Sequence, residues 1–380
     1  MKKLLSSGLV ALAGLGLLLT SCGAETFEIA LITDVGDIDD QSFNQGSWEG
    51  VVEFAEENNK SHKYYRPSAV DNTQYVNTID LAVEGGAKVI VTPGFLFEVP
   101  IFLAQSEHPD VNFILLDGVP HNADYSVFRQ DDNVLSILYA EQEAGYLAGY
   151  AAVADGYRSL GFMGGLAVPA VVKFGVGFLL GAQSAAADLS LPATGVGSVS
   201  VRYHYTGNFA ETPTNQSTAE TMYQDGVEVI FAAGGAVGLS VMTAAETADT
   251  KVIGVDVNQG PGGANLSDTV ITSAMKGLGT SVVQALEAYY ADEFPGGDVW
   301  TLDASNDGVG LPTDEASWGF GPDFTVADYQ EIYDELAEKT RTVALILDGT
   351  TVTGATEDEI EAYSTVLNKL TVTWVPTVTA

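Results

Sequence analysis

The chain of 380 residues has a single cysteine, Cys22, so no disulfide can form within it. Histidine is nearly as scarce, and His62, His108, His121 and His204 show no metal-ligand spacing. Bases are few: 15 Lys and Arg stand against 51 Asp and Glu, a formal net charge of −36. That balance excludes nucleic acid as a partner, because phosphate neutralisation needs clustered cations. It also disfavours a strongly anionic ligand drawn in by the overall field. Catalytic signatures are missing as well. There is no Gly-x-Ser-x-Gly elbow, no phosphate loop ending in Gly-Lys-Ser/Thr, and no Gly-x-Gly-x-x-Gly after a strand. Gly175, Gly177 and Gly181 are spaced otherwise and fall in a stretch that reads as helix. Asp303-Ala-Ser-Asn-Asp-Gly308 opens like a calcium loop, but Asp314 stands where a bidentate Glu is required. No metal and no cofactor are expected.

Long hydrophobic runs are lacking too. Gly8 to Leu19 is a twelve-residue apolar run, short of the roughly 20 residues that span a bilayer. It follows Lys2 and Lys3 and precedes Leu19-Thr20-Ser21-Cys22. This order resembles a bacterial lipoprotein signal with its lipobox. The resemblance implies cleavage before Cys22, lipidation of its sulfur, and anchoring by several acyl chains to a membrane on its extracytoplasmic side.

What the chain does have is organised around Thr33 to Gly50, TDVGDIDDQSFNQGSWEG. The apolar run Phe27 to Ile32 before it reads as a buried strand, and Trp48 to Glu57 after it has helical spacing. The segment is therefore a strand-to-helix turn at the carboxyl edge of a parallel sheet, where open α/β sheets bind ligands. Asp39, Asp40 or Ser42 is placed to cap the helix. Capping does not explain Phe43, an aromatic in a polar turn beside Asn44. Ring and amide together suit stacking on, and hydrogen bonding to, a flat polar ligand.

The chain then repeats itself at a separation of about 131–140 residues. Lys63–Pro67 is echoed by Arg202–Thr206, Gly86–Gly94 by Gly226–Gly234, and Asn112–Gly118 by Lys251–Val257. Each half reads strand, helix, strand, helix, strand, with a further strand expected near residues 128–134. Apolar strands alternating with amphipathic helices imply two Rossmann-like α/β lobes with parallel sheets facing each other across a cleft. Asp117 and Asp256 hold matching places after strands, as do Gly94 and Gly234, and Asp34 ends the first strand. Three carboxylates thus converge on the cleft. Lys276 ends the strand 269–275. The expected partition is a signal segment at 1–22, a first lobe of 27–138 plus about 267–297, and a second of 139–266 plus about 298–380. Helices are expected at 281–291, 323–340 and 357–368, and strands at 298–303 and 342–347.

Such a set suits reversible capture of a neutral, polyhydroxylated ligand with a flat ring. A carboxylate accepts from two adjacent hydroxyls at once, Lys276 donates to the same hydroxyls and balances Asp256, and Phe43 with Phe209 can sandwich a base.

TDVGDIDDQSFNQGSWEG (33–50), PAVVKFGVGFLLGA (169–182), VIFAAGGAVG (229–238), VIGVDVNQ (252–259) and TSAMK (272–276) resemble the basic membrane protein family and, within it, the purine nucleoside receptor lipoproteins. The resemblance implies a type I periplasmic-binding fold and a solute-binding lipoprotein of an ABC importer, with a permease as partner. It places Asp34, Phe43, Asn44 and Asp117 around the base with Phe209 as second stacking ring, and Gly234, Asp256 and Lys276 around the ribose. The protein is expected to be a monomer and not an enzyme. The region from Trp318 to Phe324 and the C-terminal tail depart from the family pattern. Two alternatives stay open: the same fold holding a sugar or other small solute, and a nucleoside hydrolase whose early acids chelate calcium.

Overall fold

A computed structural model describes residues 26–347, 350–351 and 354–376. The signal-like segment and Cys22 lie outside the described residues. The first lobe runs β1 (Ile29–Ile32), α1 (Phe43–Glu57), β2 (His62–Tyr65), α2 (Asn72–Glu84), β3 (Val89–Pro93), α3 (Glu98–Glu107), β4 (Asn112–Leu116) and β5 (Val134–Tyr139). The chain then crosses to the second lobe: α4 (Glu141–Ala154), β6 (Ser159–Gly164), α5 (Pro169–Asp188), β7 (Val199–Tyr205), α6 (Pro213–Gln224), β8 (Val229–Ala233), α7 (Val237–Ala248), β9 (Lys251–Asp256) and β10 (Val270–Lys276). It returns with α8 (Leu278–Tyr290) and β11 (Val299–Leu302), and crosses a third time into β12 (Val309–Gly310) and α9 (Val326–Ala337). A short ribbon of β13 (Ile346–Leu347) and β14 (Thr350–Thr351), then α10 (Glu357–Val366) and β15 (Leu370–Trp374), end the described chain.

One sheet has the order β11-β5-β4-β3-β1-β2 and the other β12-β10-β9-β8-β6-β7-β15. The duplication is visible in the register. Ile29 lies opposite His62 and Val89 in the first lobe, as Leu160 lies opposite Val201 and Val229 in the second. The central strands are buried on both faces, which is why they read as unbroken apolar runs.

The expected partition is corrected at two strands. The segment at 269–275, assigned to the first lobe, is β10 and pairs in parallel with β9 of the second. The segment at 298–303, assigned to the second lobe, contains β11 and pairs with β5 of the first. The cause lies in the connection 257–269, which folds back on itself: Ala264 N–H donates to the Asn258 carbonyl and Leu266 N–H to that of Gln259. It therefore delivers β10 beside β9, much as 117–133 delivers β5 beside β4. The further strand of the first lobe runs from Val134, later than expected, because 121–128 forms a local hairpin with His121 bridged to Phe128. In the tail the helix at 357–366 matches the reading, the strand at 342–347 shrinks to Ile346–Leu347, and β15 is an addition.

Gly175, Gly177 and Gly181 lie inside α5, as expected, and the second and third have a packing reason. A Cβ on Gly177 would sit 2.2 Å from the Gln142 carbonyl oxygen, and one on Gly181 only 1.9 Å from that of Tyr146. Gly149 of α4 meets the Phe178 carbonyl of α5 in the same way, at 2.1 Å. The two helices therefore touch backbone to backbone, beneath an apolar cluster that continues from the first lobe into the second. Gly181→Val is expected to cost about 2–3 kcal/mol through overpacking, read as a lower urea midpoint. An unchanged midpoint would contradict this contact.

Candidate functional site

The turn after β1 is built by its own carboxylates. Asp40, not Asp39 or Ser42, caps α1: its oxygens accept the N–H groups of Ser42 (2.9 Å), Asn44 (3.0 Å) and Gln45 (3.1 Å). Asp37 pairs with Arg66 and Asp39 is exposed. The Asn44 amide is spent on its neighbours. Its Nδ2 donates to Asp34 Oδ1 and to Asp40 Oδ2, both at 2.9 Å, and its Oδ1 accepts the Asp34 N–H. Asn44 thus orients Asp34, where a free amide edge was anticipated. Gly94 allows the closeness: with φ of +111°, a Cβ there would lie 2.8 Å from Asp34 Oδ2.

Asp117 and Asp256 occupy the symmetric positions after β4 and β9, and both have left-handed backbone, φ +57° and +66°. This conformation is tolerated by Asp better than by most side chains. Between them stands Lys276, its side chain 3% exposed, at the end of β10 where the chain leaves the second lobe. Its Nζ donates to Asp117 Oδ2 at 2.7 Å and lies 3.3 Å from Asp256 Oδ1 and 3.9 Å from Glu141 Oε1. Asp256 Oδ2 accepts from Ser42 Oγ at 2.6 Å, a bond from second lobe to first. Glu141, buried at the first turn of α4, also binds Lys173 Nζ at 3.0 Å. The Lys276 ammonium sits 4.4 Å from the centroid of the Phe43 ring, within cation–π range. Oδ1 of Asp117 is a buried acceptor with no hydrogen-bond partner, an arrangement that costs about 1–3 kcal/mol until a donor arrives.

Asp34, Phe43, Asn44, Gly94, Asp117, Asp256 and Lys276 line one cavity of about 680 Å³ between the lobes, the size that holds a small organic ligand. All eight sequence-derived residues are among its walls: Asp34, Phe43, Asn44, Asp117, Phe209, Gly234, Asp256 and Lys276. Gly234 serves by smallness, since a Cβ there would strike Gly165 N at 2.7 Å. The Phe209 ring lies over Gly165, whose own Cβ would meet Cε1 at 2.4 Å. A second cavity of about 580 Å³, rimmed by Glu49, Glu53 and Asp307, shares Asp256 and Lys276 but none of the phenylalanine rings. Phe174, Glu141 and Lys173 escaped the sequence reading. Glu141 follows β5 directly, so a correct end for that strand is the signal that finds it.

Burial pushes the Asp34 carboxyl up to about 6 against the bonds from Gly36 and Asn44, and pushes Asp117 up to about 6 against the pull of Lys276. Burial draws the Lys276 ammonium down, but Asp117, Asp256 and Glu141 outweigh it and hold the group well above its ordinary value. Lys276 is therefore cationic. No histidine lines the cavity. Among the described residues one potential metal-ligand group, Asp80 with Glu107 and His108, lies outside it, its Asp80 already bonded to His108 at 2.7 Å. The spacing of the histidines does not reveal that group because Asp80 comes from another helix.

A family model described as ABC transporter substrate-binding protein, PnrA-like, matches residues 27–340. The ABC transporter nucleoside-binding protein BmpA of Lactococcus lactis subsp. cremoris is 29% identical over 307 residues, 76% of this chain and 82% of the relative. Basic membrane protein D of Borreliella burgdorferi is 29% identical over 317 residues, 82% of this chain and 84% of the relative. An ABC transporter solute-binding protein from Aeropyrum pernix K1 superposes with a TM-score of 0.67 at 23% identity over 90% of both chains. One from Conexibacter woesei gives 0.65 at 24%, over 84% of this chain and 99% of the other. These two show the fold, the two-lobed type I periplasmic-binding architecture.

The position of Asp34 sets a pH dependence. Below about pH 4 folded and unfolded chains both hold its proton, and burial costs nothing. Between about 4 and 6 only the folded chain keeps the proton, so stability falls as pH rises. Above about 6 the full cost, about 2–3 kcal/mol, is present. Asp34→Asn removes that titration. In urea melts its stability relative to the parent is expected to rise from about pH 4 to about pH 6 and then level. A difference flat across this range would contradict the burial assigned to Asp34.

Proposed function

The chain belongs to the family of PnrA-like ABC transporter substrate-binding proteins, and on that premise we propose that it captures a purine nucleoside between its lobes and presents it to a permease. The observation that carries this reading is the wall composition of the 680 Å³ cavity: rings from both lobes, Phe43 and Phe209, beside the Asp117–Lys276–Asp256 cluster. The base stacks on the rings, and Asp34, positioned by Asn44, and Asp117 accept its N–H groups. The ribose hydroxyls donate to Asp256 and accept from Lys276. The unpartnered Asp117 Oδ1 supplies an acceptor for which the ligand brings the donor.

Closure is the mechanism. The three crossings, at Tyr139–Glu141, Lys276–Leu278 and Leu302–Val309, are tied to one another, Ala140 N–H donating to the Leu302 carbonyl and Gly277 N–H to that of Gly308, so the lobes can swing about them. A bridging ligand favours the closed form by its contacts to both. The function is binding without chemistry: Asp117 and Asp256 face a lysine held cationic, and among the described residues no serine, threonine, cysteine or histidine lines the cavity. Lipid anchoring through Cys22 on the extracytoplasmic side, with a monomeric chain, completes the proposal.

Titration calorimetry with inosine, guanosine, adenosine, their free bases and ribose tests it. Tight binding of a nucleoside with only weak binding of ribose is expected. Phe43→Ala should weaken the nucleoside by about 1–3 kcal/mol, the worth of one base–aromatic stack, and leave ribose unchanged. Preference for ribose, with no effect of Phe43→Ala, would establish the sugar reading instead. Release of free base on incubation would establish an enzyme.

A further inference from the structure

We propose that the C-terminal segment 354–376 is a positioning element for the Phe209 ring, holding the end of β7 so that the loop beyond it carries the ring into the cleft. The proposal rests on the nucleoside reading for the role of Phe209. The segment follows the stretch matched by the family model, which ends at residue 340.

The two lobes supply the comparison. Their sheets share one strand order, with β2 in the place of β7, and differ at the edges: β11 pairs in parallel where β12 pairs antiparallel, and β15 is added outside β7 whereas, among the described residues, no strand pairs outside β2. The loops beyond these two strands also differ. None of residues 66–71 after β2 lines the ligand cavity, whereas Gly207, Asn208, Phe209, Ala210 and Glu211 after β7 do. The lobe whose penultimate strand must aim a ring is the lobe that carries the extra strand. An edge strand paired on one side opens locally at low cost, and pairing on both sides raises that cost.

The contacts converge on the last residues of β7. β15 pairs in parallel with it along its length, Leu370 opposite Val199 and Trp374 opposite Tyr203. Val375 N–H donates to the Tyr203 carbonyl at 2.8 Å, and the Val375 carbonyl accepts from His204 Nδ1 at 2.8 Å. The Trp374 ring lies 6.3 Å from that of Tyr203 and 5.9 Å from that of Tyr205. Tyr205 OH donates to the Gly354 carbonyl at 2.8 Å. From Tyr205 the chain needs four residues to reach Phe209, and the first two are tied to the end of β6 and the residue after it: Thr206 N–H donates to the Gly164 carbonyl and Gly207 N–H to that of Gly165. Gly165 is the residue on which the Phe209 ring rests. Brace, strand end, loop and ring thus form one connected series.

The test is a double-mutant cycle in the full chain, read by inosine titration calorimetry. Trp374→Ala is expected to weaken inosine about fivefold to tenfold and Phe209→Ala about tenfold or more. Adding Trp374→Ala to Phe209→Ala is expected to cost nothing further, because the brace acts through the ring, and Trp374→Phe restores affinity. Amide exchange at 206–210 should quicken in Trp374→Ala while that of α1 stays unchanged. Unchanged inosine affinity, or a loss that adds in full to that of Phe209→Ala, overturns the proposal. Should Trp374→Ala fail to fold, Tyr205→Phe removes the hydroxyl that bonds Gly354 and Tyr203 and is held to the same cycle. If the parent chain does not bind inosine at all, the nucleoside reading fails, and exchange alone decides the brace: quickening at 206–210 upholds it, none overturns it.

Discussion

One ammonium group holds the arrangement together. Lys276 leaves the second lobe at the end of β10 and puts its charge between Asp117 of the first lobe and Asp256 of the second, with Glu141 behind. Buried carboxylates at this density are tolerable only if a cation is among them, because each isolated ion costs several kcal/mol to desolvate. The lysine can stand there only because β10 lies beside β9 in the second sheet. Its position thus depends on how the chain crosses between lobes, and the geometry of the cleft depends on its position. The same ammonium faces the Phe43 ring, so the charged and aromatic halves of the site share one group.

The duplication explains both the order of the site and its departures from symmetry. Asp117 and Asp256 are the same position used twice, down to the left-handed backbone, yet each is bonded across the cleft to a different partner, Lys276 in one case and Ser42 in the other. The aromatic walls are not repeats of each other: Phe43 comes from the first helix of its lobe and Phe209 from a loop after a strand. Two lobes of one topology thus present different faces to the cavity they share. The strong negative charge, −36 over the chain, does not enter the cleft unopposed, since Lys276 and Lys173 sit among its buried acids.

Much of this was legible in the residues alone, for identifiable reasons. Strands such as Ile29–Ile32 and Val89–Pro93 are buried on both faces, and such strands announce themselves as short apolar runs. Asp34, Asp117 and Asp256 announce themselves as acids directly after those runs. Partnership is harder to read. The segments at 270–276 and 299–302 are both apolar and both long enough to pair, and nothing local says which sheet receives them. The role of Asn44 depends on where its amide points, which is decided by Asp40 four residues earlier. Glu141 was hidden by the misplaced end of β5, and β15 by a partner strand far upstream in the chain.

The most direct measurement of the central claim is a crystal structure of the protein with inosine bound. The account predicts the base between the Phe43 and Phe209 rings, with ribose hydroxyls within hydrogen-bond distance of Asp256 and Lys276 and a ligand donor on Asp117 Oδ1. Inosine found elsewhere, or in the cleft with its ribose against the rings and its base against Lys276, would contradict it.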